Sequence, residues 1–189
     1  MTENNLIEDV SAGPKVGEKA PSFKLKNVDG KMVSLSDYAD KKGLIVVFSC
    51  NHCPYVVKYE DRINELNKKY APLGFPLVAI NPNAPKVAED SYEKMIERHR
   101  EKGFTFPYLL DETQEVAKKY GAERTPHVYI LERKGKDFFI RYIGAIDDNA
   151  GDPNAVTKRY AADAIDALLA GKEVPVKETK AIGCTIKWK

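Results

Sequence analysis

A chain of 189 residues is long enough to bury one substantial core, and its composition is that of an ordinary globular domain. Its 30 basic and 28 acidic side chains are interspersed and leave a net charge of +2, which argues against a patch for nucleic acid or a membrane surface. No apolar run reaches the length of a membrane span, and three cysteines, an odd number, do not make a disulfide framework.

Residues 1–15, polar and ending near Gly13-Pro14, read as a flexible arm. The opening Met1-Thr2-Glu3-Asn4-Asn5 lacks the basic and apolar segments of a signal peptide, so the expected location is cytoplasmic. Phe23 and Leu25 alternate with lysines, and Asp29-Gly30 marks a turn, which predicts a short β-hairpin through Leu35. Ser36 is placed to cap a helical turn through Tyr38. Leu44 to Phe48 has the length and β-branched content of a buried strand.

That strand delivers Cys50-Asn51-His52-Cys53 to the start of a helix, with Pro54 in its first turn, where no N–H is needed. Val56, Tyr59, Ile63, Leu66 and Tyr70 repeat at helical spacing, so one face packs. Two cysteines three apart at a helix N-terminus can close a disulfide, and the free N–H groups there favour an attacking thiolate. Phe75 to Ile80 predicts a second core strand, Asp90 to Lys102 a helix closed by Gly103, and Asp111 with Gln114 a cap on a short helix ending near Tyr120. Thr125-Pro126 introduces a strand over His127 to Leu131, paired through Lys134-Gly135 with Phe138 to Ile143. Asp147 to Pro153 reads as an exposed loop, and a last helix carries Tyr160, Ala164, Ile165, Leu168 and Leu169 to Gly171.

The order strand, Cys-x-x-Cys, helix, strand, helix, then Thr125-Pro126 before a hairpin and a final helix resembles the thioredoxin superfamily. The Ala20-Pro21-Ser22-Phe23 opening and the Asp29-Gly30 hairpin are similar to its redoxin, or AhpC/TSA, branch. Cys50 to Tyr55, with the tail Ile182-Gly183-Cys184-Thr185-Ile186-Lys187-Trp188, resembles a bacterial peroxiredoxin-like group. The implied fold is a thioredoxin-like α/β domain over 16–171, a central mixed sheet flanked by helices with an N-terminal hairpin and a helical insert, followed by a tail over 172–189.

The same resemblance makes Cys50 the attacking and Cys53 the resolving cysteine, and Thr125-Pro126 the cis-proline segment whose backbone holds a strand-like substrate. Asn51, Arg124 and Thr125 then fall where substrate would bind. His52, between the cysteines, is placed to stabilise a Cys50 thiolate and raise the reduction potential above that of thioredoxin, about −270 mV. Cys184 is either a third redox thiol or a small buried hydrophobe.

Two family features are missing. Peroxiredoxins carry a proline and a threonine where this chain has Gly43 and Val47, and thioredoxins a buried aspartate where it has Leu44. Glu60, Lys58 or water must then move the proton.

These residues predict a thiol-disulfide oxidoreductase in redox homeostasis or antioxidant defence. Its substrates would be protein or small-molecule disulfides, and its reductant a thiol donor such as thioredoxin or glutaredoxin. The alternatives are a thiol peroxidase with Cys50 as the peroxidatic cysteine, and a redox-inert binding module. No cofactor is implied. A zinc site is disfavoured because His52, wedged between the cysteines, is badly placed to chelate with both.

Overall fold

The computed structural model describes residues 13–189, so the arm expected over 1–15 falls, up to residue 12, outside the described residues. Lys24–Asn27 (β1) and Met32–Ser34 (β2) form the hairpin around Asp29-Gly30, with Leu25 opposite Val33. The following turn begins after Ser34 rather than Ser36, and the Asp37 carboxylate accepts the Ser34 N–H at 2.8 Å. Gly43–Phe48 (β3) is buried along its whole length, as a run with no polar face must be in mid-sheet.

Pro54–Tyr70 (α1) buries Val56, Tyr59, Ile63, Leu66 and Tyr70, the stripe set by helical spacing. Leu77–Asn81 (β4) runs parallel beside β3. Tyr92–Lys102 (α2) begins at Ser91, whose hydroxyl accepts the Lys94 N–H, and ends at Gly103 in the left-handed region. Asp90 therefore precedes this helix and ends a separate short turn over Ala88–Asp90.

Tyr108–Leu110 (β5) is too short to show alternation in sequence, yet it joins the hairpin to the main sheet between β1 and β4. Glu115–Tyr120 (α3), Arg124–Thr125 (β6), His127–Lys134 (β7), Asp137–Gly144 (β8), Tyr160–Leu169 (α4) and Cys184–Thr185 (β9) complete the chain. The seven-stranded sheet has the order β2-β1-β5-β4-β3-β7-β8, and β6 and β9 form a second, two-stranded ladder.

Alternation along β3 divides the core, because successive side chains leave opposite faces of a strand. Ile45 and Val47 pack with Tyr59 and Ile63 of α1 and with Ala161 and Ile165 of α4. Leu44, Val46 and Phe48 pack on the other face with Val116 and Tyr120 of α3 and with Tyr129. The sheet clamped between these layers fixes the end of β3, and with it the cysteines. No helix among the described residues is long and apolar enough to cross a membrane.

The loop expected over Asp147 to Pro153 is exposed at Asp148 and from Gly151 to Pro153, but Asp147 itself is buried. It is 5% exposed, accepts the Tyr59 hydroxyl at 2.8 Å and pairs with Arg62 at 2.8 Å, so it pins its loop to α1. The segment 172–189 is woven into the fold, with Thr179 bonded through its backbone to Ile143 and through its hydroxyl to Ala145.

Candidate active site

The end of β3, the start of α1, the cis Thr125–Pro126 bond and β9 converge on three sulfurs. Cys53 is the residue capping α1 and is fully buried, while Cys50, one short turn earlier, is 3% exposed. The disulfide present joins Cys53 to Cys184, whose Cα atoms are 6.2 Å apart, and Cys50 is a free thiol.

Thr125 touches all three cysteines. Its hydroxyl lies 3.4 Å from the Cys50 sulfur, its carbonyl oxygen lies 3.4 Å from the Cys53 sulfur, and its backbone pairs with Cys184 in the β6–β9 ladder. Thus a hydroxyl does reach Cys50, supplied from beside Pro126 rather than from position 47.

A thiolate favoured by the helix terminus is not what the site shows. Burial pushes the Cys50 thiol up to about 11, with the Asp90 carboxylate as the second cause. The Thr125 hydroxyl and the backbone N–H groups of Cys53 and His52 pull the other way with smaller effect. Desolvation outweighs the helix terminus because the sulfur is out of water.

Asp90 is the residue that sequence reasoning missed. It is fully buried, its Oδ1 accepts the backbone N–H groups of Asn51 at 2.7 Å and His52 at 3.1 Å, and its Oδ2 sits 2.5 Å from His52 Nδ1. In sequence it passes for an ordinary acid at a helix start. Only the short turn over Ala88–Asp90 folds it under the Cys50-Asn51-His52 loop. It supplies a buried carboxylate that Leu44, lying in the apolar face of β3, does not.

Of the proton carriers named from sequence, Glu60 is already committed. Both Glu60 oxygens bind Arg98, and Lys58 is exposed. Asn51, expected at substrate, instead accepts the Tyr108 hydroxyl at 2.8 Å and donates to the Glu89 carbonyl at 3.0 Å. Arg124 likewise donates to the Gly183 carbonyl at 3.0 Å. Both side chains hold the site's own walls.

His127, one residue past Pro126, is buried and held near pKa 4, first by desolvation and then by Arg124. Its Nδ1 accepts the Glu123 N–H at 3.2 Å, so it is a neutral packing group.

Cys50 opens on a recess of about 10 Å³, lined by Val56, Glu60, Ile63, Phe104, Phe106 and Tyr108, with room for about one water. Among the described residues, Cys50, His52 and Asp90 are the one cluster with metal-ligand composition, one donor atom from each lying within 4.8 Å of the others. Three such ligands would leave an open fourth position, since Cys53 is engaged by Cys184. The same three groups are equally a thiol, a proton carrier and the carboxylate that orients it.

The chain is similar to known proteins. Over 121 residues the chain is 31% identical to the thiol-disulfide oxidoreductase ResA of Geobacillus thermodenitrificans, covering 64% of this chain and 66% of that protein, just under two thirds of its length. A crystal structure of an uncharacterized conserved protein from Geobacillus kaustophilus superposes with a TM-score of 0.85 at 44% identity, covering 92% of both chains. Peroxidoxin BcpB from Mycobacterium tuberculosis matches with a TM-score of 0.63 at 18% identity over 83% of this chain and 97% of its own, a likeness of fold alone. The fold is thioredoxin-like, and with the AhpC/TSA profile matching residues 16–143, the chain belongs to the AhpC/TSA family.

Proposed function

We propose that the chain is a thiol-disulfide oxidoreductase in which Cys50 meets the substrate disulfide. The observation that carries this reading is a free Cys50 one short turn from Cys53, which is itself disulfide-bonded, on a shared Thr125. A sulfur that changes partners needs a second sulfur within reach, and the Cys-x-x-Cys turn supplies it. The similarity to ResA supports the same chemistry.

A thiol held near 11 cannot rely on its own ionisation at neutral pH. His52, whose Nδ1 faces Asp90 Oδ2 within the same cluster, takes the Cys50 proton as the sulfur attacks. The Cys50 sulfur then bonds one substrate sulfur and expels the other as a thiolate. In the reduced protein, where Cys53 and Cys184 are thiols, Cys53 gives its proton to the expelled substrate thiolate, attacks the Cys50 sulfur, closes Cys50–Cys53 and releases the second substrate thiolate. A thiol donor of the thioredoxin or glutaredoxin kind returns the two electrons.

The test is turnover of hydroxyethyl disulfide with a thiol reductant. Cys50→Ser is expected to lose at least 100-fold, and Cys53→Ser to accumulate a mixed disulfide on Cys50. Full activity in Cys50→Ser removes this reading.

The Thr125 hydroxyl beside the Cys50 sulfur also suits a small peroxide, which makes a thiol peroxidase the second reading. It requires a Cys50 that ionises readily, and burial opposes that. Rapid loss of the Cys50 thiol on adding hydrogen peroxide to reduced protein would favour it.

A further inference from the structure

The backbone edge at Arg124–Thr125, where a polypeptide substrate was expected to pair, is taken by the chain's own C-terminal segment. Thr125 pairs with Cys184 and Arg124 with Thr185, and the Ile186 N–H extends the ladder to the Glu123 carbonyl at 3.0 Å. Gly183 passes so close that a Cβ there would stand 2.2 Å from the Thr125 carbonyl oxygen, a contact no side chain tolerates. The tail thus lies against the site as a bound substrate strand would, with its cysteine on Cys53.

The disulfide is not its sole anchor. Beyond Cys184, Ile186 is buried, the Lys187 N–H donates to Asn83 Oδ1 at 3.0 Å, and Gln114 Nε2 donates to the Lys187 carbonyl at 2.8 Å. The Lys189 N–H returns to Gln114 Oε1 at 3.0 Å. Asn83 and Gln114 are fully buried, so these anchors are shielded from water. A reduced Cys184 therefore stays beside Cys53 as a resident thiol.

We propose that Cys184 is the third redox thiol of this enzyme, a second resolving cysteine that takes the disulfide from Cys50–Cys53 and stores it as Cys53–Cys184. The step rests on the oxidoreductase reading above. After Cys50–Cys53 has closed, Cys184 gives its proton to the second released substrate thiolate, through water, and attacks the Cys53 sulfur as a thiolate. The Cys53–Cys184 bond forms, the Cys50–Cys53 bond breaks, and Cys50 leaves as a thiolate that regains a proton from His52. No electrons enter or leave in this exchange. Over the whole cycle two electrons pass from Cys53 and Cys184 to the substrate disulfide, and Cys50 is returned free, the state the structure shows.

Rapid-quench alkylation of the reduced full-length protein mixed with hydroxyethyl disulfide, followed by peptide mapping, tests this. The expected sequence is Cys50 as a mixed disulfide or bonded to Cys53, then Cys53–Cys184 with Cys50 alkylatable again. Cys184→Ser, and Cys184→Ala as its check, should stop at Cys50–Cys53 with Cys50 protected. Cys50→Ser should form Cys53–Cys184 at least 100-fold more slowly.

A wild-type end product of Cys50–Cys53 with Cys184 free overturns the third-thiol role alone and leaves the oxidoreductase intact. Formation of Cys53–Cys184 at the wild-type rate in Cys50→Ser also overturns it, since the bond would then be a structural cross-link. A wild-type protein that never reacts with the disulfide overturns both readings.

Discussion

Two buried carboxylates, Asp147 and Asp90, sit on opposite sides of the same chemical choice. Asp147 is met by the Arg62 guanidinium and the Tyr59 hydroxyl, and Arg62 goes on to the Asn149 and Ala150 carbonyls. Every charge there has a fixed partner, so the cluster pins a loop and has no proton to move. Asp90 is met by two backbone N–H groups and by a histidine whose side chain is 32% exposed, with a thiol alongside. The partner of Asp90 can change its charge and the partner of Asp147 cannot. Burial is common to both, and the titratable partner is what makes one of them chemistry.

The largest effect that sharpens this contrast is expected at the structural pair. Arg62→Ala leaves the buried Asp147 carboxylate without its counter-charge and should cost about 3–5 kcal/mol in denaturant unfolding. The rate of Cys50 alkylation in the folded protein should be unchanged. A small loss of stability would mean that Asp147 is less committed than its contacts indicate.

His127 provides an intermediate case, a buried titratable group with no chemical partner. Its pKa is lowered to about 4, whereas the unfolded chain takes up that proton near 6.5. The unfolded state therefore binds more protons as the pH falls from about 6.5 to 4, and stability should drop over that window by roughly 3 kcal/mol. Unfolding of the wild type and of His127→Asn at several pH values reads this, and an equally steep loss in the variant excludes His127 as its source.

Asp90→Asn should have the smallest effect on stability and the most specific one on reactivity. Removing the charge lowers the Cys50 pKa, so iodoacetamide should react several-fold faster at pH 9. Disulfide turnover at pH 7 should fall about tenfold, since His52 Nδ1 loses the carboxylate oxygen it faces at 2.5 Å. If both rates move together, Asp90 is a second Asp147 and only shapes the loop. The high Cys50 pKa also reverses the expectation drawn from His52. With no stable thiolate to favour the reduced form, the Cys50–Cys53 couple isolated in Cys184→Ser should have a reduction potential at or below about −270 mV, as a glutathione equilibrium would show.

Most of the architecture was legible because it rests on local rules. Val46 to Phe48 could only be a central strand, the Val56 to Tyr70 stripe could only be a packed helix face, and Gly103 could close its helix without strain. Tyr108–Leu110 was not legible, since three residues show no period and their place between β1 and β4 depends on both neighbours. Asp90 was hidden for a related reason, because a helix-start acid and a buried proton partner are written with the same letter.

By itself the sequence determined the dithiol turn and the strand that carries it, encoded within a few residues of one another, and the Thr125-Pro126 step that opens a later strand. Tertiary structure alone decided which sulfur Cys53 holds. Cys184 is 131 residues away from it in sequence, brought in by a tail anchored on Asn83, Gln114 and Thr125. Tertiary structure also set the Cys50 proton affinity, because burial and Asp90 act through space and outweigh the helix terminus that the local sequence supplies.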